Sequence, residues 1–143
     1  MVSVGPVIVG VDGSDASKRA LLWAVEYVKC SGAQLEALAA WQTPTSYGFP
    51  AYYDDADFAR QTSEKLEATV RETAPDLKVG LRVEQAHPAA ALVAESKQAQ
   101  LLVVGQHGHG EFHDRLLGSV SQHCVHHAHC PVVVVRGRSG SAG

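Results

Sequence analysis

Two hydrophobic rhythms alternate along the chain: short continuous apolar runs, and longer stretches in which apolar residues recur every three or four positions. Val7 to Val11 is a β-branched run closed by Asp12, Gly13, Ser14 and Asp15. Ala16 to Cys30 then places Ala20, Leu21, Ala24, Val25 and Val28 at helical spacing. Leu35 to Trp41 reads as a second strand. Asp57 to Thr73, rich in Glu, Lys, Ala and Leu, reads as a helix that stops before Pro75. Leu77 to Glu84 alternates apolar with polar as an edge strand does, and Pro88 opens a helix to about Gln98. Leu101 to Val104 is a fourth strand, Gly118 to about Ala128 a fourth helix, and Val132 to Val135 a last strand after Pro131. Strands separated by helices imply right-handed crossovers and an α/β fold whose parallel sheet is covered on both faces.

Composition narrows the class. At 143 residues the chain suits one domain, expected over residues 1–136 with a mobile tail at 137–143, and it can bury enough surface for an unaided core. A formal net charge of −3 offers no basic footprint for nucleic acid, and no apolar run approaches the ~18 residues of a membrane span. Cys30, Cys124 and Cys130 are an odd number without framework spacing, and Met1 to Pro6 lacks the regions of a signal peptide, so a reducing cytoplasm is the expected setting. Gln42 to Ala56 is long for a connection in such a fold and carries Tyr47, Phe49, Tyr52 and Tyr53, which suggests a lid.

The most specific feature follows the fourth strand. Gly105, Gly108 and then Gly118 and Ser119 form the pattern G x x G x9 G S, where a strand ends, a loop turns and a helix begins. An α/β protein holds phosphates at such a place, with backbone N–H groups at the helix N-terminus. Glycine there permits φ > 0 and close approach of a ligand. On this reading Gly105→Val and Gly118→Val block the pocket without unfolding the chain. Asp12, Gly13 and Ser14 also read as a turn with an N-cap, a role compatible with binding.

These residues carry a resemblance. Val7 to Val11 with Asp12 Gly13 Ser14, the tract Val103 to Gly110, Leu116 to Ser121, and Cys130 to Val135 resemble the universal stress protein family over about residues 5 to 136. The resemblance implies a Rossmann-like, adenine nucleotide alpha hydrolase-like three-layer sandwich with a five-stranded parallel sheet in the order 3-2-1-4-5. It also implies dimerisation through the last strand, and the unbroken glycine signature marks the ATP-binding branch. Carried over, the ATP site comprises Gly10, Val11 and Asp12 (the last toward ribose), Ala40 toward adenine, Val104 and Gly105 beside the sugar, Gly108 at the phosphates, and Gly118, Ser119, Val120 and Ser121 around the phosphate chain. Mg2+ would accompany ATP. One departure is Ala86, where many relatives have glycine; a changed turn is expected there and not a lost site.

The other chemistry is less directed. No Walker loop, nucleophile elbow or paired carboxylates appear, and His107 Gly108 His109 lies after the wrong strand for adenylyl transfer. His107 and His109 are candidates to contact phosphate, as is Arg115, which has Glu111 and Asp114 as alternative partners. His123, His126 and His127 share the fourth helix, but no third ligand completes a recognised metal pattern, so no resident metal is assigned and only adventitious nickel or zinc is expected. The expected function is therefore a cytoplasmic, homodimeric, ATP-dependent regulator or sensor in stress response, with at most slow hydrolysis. The alternatives are an ATPase or phosphotransferase at the same site, for which Asp12 and the loop histidines are the candidate bases, and a nucleotide-free interaction module. Four valines in Val132–Val135 would leave an apolar edge that pairing with a second copy covers.

Overall fold

The structure, a computed structural model, describes residues 5–42, 55–107 and 117–137. Strands and helices alternate throughout: β1 (Val7–Gly10), α1 (Asp15–Ser31), β2 (Leu35–Trp41), α2 (Asp55–Thr73), β3 (Gly80–Gln85), α3 (Pro88–Ser96), β4 (Leu101–Gly105), α4 (Ser119–His127) and β5 (Val132–Val135). The strands form one parallel sheet in the order β3-β2-β1-β4-β5. The expected lid falls largely on residues 43–54, outside the described residues, while Asp55 and Ala56 already belong to α2. Residues 138–143 of the expected tail lie outside them too.

Strand alternation sorts the core into two layers. Val7, Val9, Leu35, Ala37, Leu101 and Val103 face α1 and α2, where they meet Leu21, Val25, Leu66 and Val70. Ile8, Leu38, Leu102 and Val104 face the other way, against Leu92 of α3 and Cys124 of α4. A strand buried on both faces must be apolar at every position, which is why β1 and β4 read as unbroken runs. The Cys124 thiol is pushed up to about 11, first by burial and then by the neighbouring Cys130.

Helix ends follow local chemistry. Ser14 caps α1, its hydroxyl accepting from the Ser17 N–H at 3.2 Å, and Gly32 at φ 78° closes the helix in the left-handed region. His87 caps α3 through Nδ1, which accepts from the Ala89 N–H at 3.1 Å, and Pro88 follows at the first helical position. α3 stops at Ser96, short of Gln98, because the N–H groups of Gln98 and Ala99 turn to carbonyls three residues back.

β3 departs most from the sequence expectation. It begins at Gly80 and not Leu77, since its extent is set by pairing with β2 from Glu36 opposite Gly80 to Trp41 opposite Gln85. Leu77 instead closes a turn, its N–H donating to the Ala74 carbonyl at 3.3 Å. Where expected glycine is replaced, the Ala86 N–H donates to the Trp41 carbonyl at 3.0 Å, so this turn closes without glycine.

On the β3 edge, Arg82 reaches Glu95 at 2.7 Å, Glu36 at 3.4 Å and Glu84 at 3.9 Å. Burial, then the hydrogen bond and charge of Glu95, hold the Glu84 carboxyl above its usual range, with Arg82 opposing. A raised folded-state value means this group favours folding most below the unfolded carboxylate range, near ~4.3, and that contribution is lost as pH rises through the raised value. Glu84→Gln should therefore be more stable than the parent at pH 7 and indistinguishable from it near pH 4. Urea denaturation at the two pH values measures this; a variant weaker at pH 7 would refute the assignment.

Candidate functional site

In a doubly wound sheet, a crevice opens outside the carboxyl ends of the strands where the winding reverses, here between β1 and β4. A cleft lies at that point. The end of β1 contributes Gly10, Val11 and Asp12, β2 contributes Leu38 and Ala40, and β4 contributes Val104 and Gly105, followed by His107. Ser17 borders it from α1, Pro88 and Leu92 from α3, and Val120 and Ser121 from the first turn of α4. Its lining is thus mostly apolar, with Asp12, Ser17, His107 and Ser121 as the polar side chains.

The turn after β1 brings Asp12 and Ser17 to the cleft. Asp12 Oδ1 accepts from the Ser14 N–H at 2.8 Å, and the Asp12 N–H donates to Ser17 Oγ at 3.3 Å. Ser17 Oγ in turn donates to the Ser14 carbonyl at 3.0 Å. The Asx turn and the N-cap form one unit, which presents an exposed Asp12 carboxylate at the cleft. Gly13 at φ 87° is the position in this turn that a side chain would strain.

Across the cleft, Gln106 joins three elements. Its N–H donates to the Val135 carbonyl, its carbonyl accepts from the Gly118 N–H at 2.8 Å, and its side-chain oxygen accepts from the Gly137 N–H at 3.1 Å. The Ser121 hydroxyl donates to the Gly105 carbonyl. These bonds fix the start of α4 against the end of β4. The helix's own bonding begins with the Gln122 N–H on the Gly118 carbonyl, so the N–H groups of Val120 and Ser121 at the cleft have no acceptor within the helix. With the helix dipole, they make this end favourable for an anion.

Of the eleven residues singled out from the sequence, Gly10, Val11, Asp12, Ala40, Val104, Gly105, Val120 and Ser121 come together at the cleft. Gly118 and Ser119 do not line it, Gly118 being buried as the α4 N-cap and Ser119 exposed. Gly108, His109 and Arg115 lie outside the described residues. Two expectations need correcting in physical terms. The Gly118 N–H is engaged by Gln106 and the Ser121 hydroxyl by Gly105, so both serve the scaffold. Gly105 has no positive φ; a Cβ there would lie 2.7 Å from the Ala16 carbonyl oxygen, so glycine is required for α1 to pack on β4. Ser17, Leu38, Pro88 and Leu92 were not singled out. Pro88 and Leu92 sit one helical turn apart on the core side of α3, and Leu38 alternates with Ala40, which are periodicities the sequence carries.

Comparisons with known proteins agree with this fold. The family model for the universal stress protein family matches residues 4–136. A universal stress protein of Mycolicibacterium smegmatis is 42% identical over 135 residues, covering 93% of this chain and 46% of the relative. The chain spans about half the length of the curated relatives it matches. Among solved structures, a universal stress protein in complex with cAMP is 30% identical, with a TM-score of 0.69 over 94% of this chain and 98% of that one. The universal stress protein UspA from Lactobacillus plantarum, 23% identical and covering 95% of this chain and 100% of its own, shares the fold with a TM-score of 0.73.

Proposed function

The chain belongs to the universal stress protein family, and from that premise we propose that it binds an adenine nucleotide, ATP with Mg2+, in the cleft between β1 and β4 as a regulator or sensor in stress response. The observation that carries this reading is a mostly apolar cleft bordered by an exposed carboxylate and by the first turn of α4. Leu38, Ala40, Leu92 and Val104 offer surface for a base, Asp12 an acceptor for ribose hydroxyls, and the first turn of α4 backbone donors for phosphates. The relative solved with cAMP supports the class of ligand. Among the described residues no cluster of three His, Cys, Asp or Glu could hold a metal, so Mg2+ would arrive on the phosphates, with Asp12 as the carboxylate bordering the cleft.

A sensor and an enzyme differ in what the site must contain. Hydrolysis needs a base aimed at a water, and among the described residues the candidates at the cleft are Asp12, committed through Oδ1 to Ser14, and His107. Turnover should fall well below the ~1 s⁻¹ at the slow end of ordinary enzymes, and His107→Ala should change it by less than about tenfold. Calorimetric titration should show ATP binding that Asp12→Ala weakens by at least about tenfold, or about 1.4 kcal/mol. Asp12→Asn, which keeps the acceptor for Ser14, separates loss of the turn from loss of ribose contact. Fast single-turnover hydrolysis abolished by His107→Ala, with binding intact, would make the protein an enzyme.

The reading includes a cytoplasmic homodimer. β5 pairs with β4 on one side only and Val132–Val135 are all half-buried in the single chain. Val132 and Val134 pack only partly into the layer of α3 and α4. Such an edge invites a second strand. Light scattering should give twice the chain mass, and Val134→Lys should return the monomer; a monomer across a wide concentration range contradicts this part of the proposal.

A further inference from the structure

The histidines of α4 take no part in the cleft. His123 and His127, four residues apart and therefore one turn apart on the same helix face, are both exposed, and their ring centroids lie 4.5 Å apart with the planes tilted by 40°. The separation is one that coordination to a shared ion would allow. With a metal–nitrogen bond of about 2.0 Å and the ring centre about 1.2 Å beyond the nitrogen, two rings on one ion stand about 4.5 Å apart at a right angle and about 5.2 Å apart at a tetrahedral angle. The observed value lies at the right-angle spacing, so rotation of the two side chains can bring one nitrogen of each ring onto a shared ion. His126 and His127 are adjacent on the helix and so do not face one another, and their rings stand 6.4 Å apart.

We propose that His123 and His127 form a two-nitrogen chelate for a divalent transition ion of square-planar preference, copper(II) first and nickel(II) second. Imidazole is a ligand both ions favour, right-angled nitrogen pairs are the geometry of tetragonal copper and nickel, and copper stands highest in the affinity order of first-row divalent ions. Water completes the coordination, as both rings face solvent. The two rings bracket the last turn of a nine-residue helix whose C-terminal bond runs from the Ala128 N–H to the Cys124 carbonyl at 2.9 Å. An ion held across that turn stabilises the helix to the extent that it binds the folded chain more tightly than the unfolded one. The proposal stands apart from the nucleotide reading, since neither ring borders the cleft.

The test titrates copper(II) into tag-free full-length protein, with glycine as a competing chelator, followed by electron paramagnetic resonance and by melting temperature. The expected result is one ion per chain with equatorial nitrogen coupling and a raised melting temperature. His123→Gln and His127→Gln should each weaken binding at least tenfold, while His126→Gln and His129→Gln stay within twofold of the parent. Glutamine favours helix at least as well as histidine at these exposed positions, and circular dichroism verifies that the variants fold. Copper bound equally well by the His123 and His127 variants, or lost as strongly in the His126 or His129 variants, overturns the assignment.

Discussion

Gly105→Val is expected to lower the melting temperature by roughly 10 °C with no nucleotide present. A Cβ at Gly105 would lie 2.7 Å from the Ala16 oxygen, 2.8 Å from its carbonyl carbon and 3.0 Å from its Cβ. Two of those contacts are backbone at the start of α1, which Ser14 and Asp12 hold in place by hydrogen bonds, so no side chain can swing aside. Overpacking of this kind costs about 1–3 kcal/mol, and valine adds two further methyl groups to the same space. At about 2–4 °C per kcal/mol, the upper end of that range gives the stated shift. Gly105→Ala should fall between valine and the parent. A Gly105→Val protein that melts within 2 °C of the parent would show that α1 yields easily and that glycine is there for another reason.

The second large effect concerns ligand and not stability. Ala40 is half-buried, shares the α3 side of the sheet with Leu38, and borders the cleft where a base would lie. Ala40→Leu places three more carbons in that space. Nucleotide affinity should fall about 100-fold, equivalent to about 2.7 kcal/mol, because the base must then be displaced from its wall. The unliganded fold should hardly notice, since the added carbons enter open cleft and cover apolar surface. An Ala40→Leu variant that binds ATP as the parent does would move the base elsewhere.

How far the fold was legible depends on what set each element. β1 and β4 announced themselves because burial on both faces demands continuous apolar residues, and α1 because Ala20, Leu21, Ala24 and Val28 mark one buried stripe after a serine cap. β3 was misplaced by three residues at its start because Leu77 and Val79 are apolar for a different purpose: they pack against the α2 layer, while the ladder with β2 decides where the strand begins. Local alternation cannot distinguish those two uses of an apolar residue.

The candidate site was legible where one segment supplies it. Asp12 with its turn, and the strand end at Val104 and Gly105, are local signals. Ser17, Leu38, Pro88 and Leu92 reach the cleft from three different elements, so their convergence is a product of the sheet order. The glycine signature includes Gly105, which borders the cleft, but does not state the contact that requires glycine there. Gly105 answers to Ala16, a contact between residues far apart in sequence whose steric demand no spacing pattern states, whereas Gly118 donates its N–H to the Gln106 carbonyl, a bond any residue but proline can make.

The central claim, that an adenine nucleotide occupies the cleft between β1 and β4, is tested most directly by titrating ATP with Mg2+ into isotope-labelled protein and following backbone amide resonances. Saturable shifts should concentrate at Gly10, Val11, Asp12, Ala40, Val104, Gly105, Val120 and Ser121, and should leave His123 and His127 unmoved. Resonances that stay put at millimolar ATP, or shifts confined to residues away from this cleft, would contradict it.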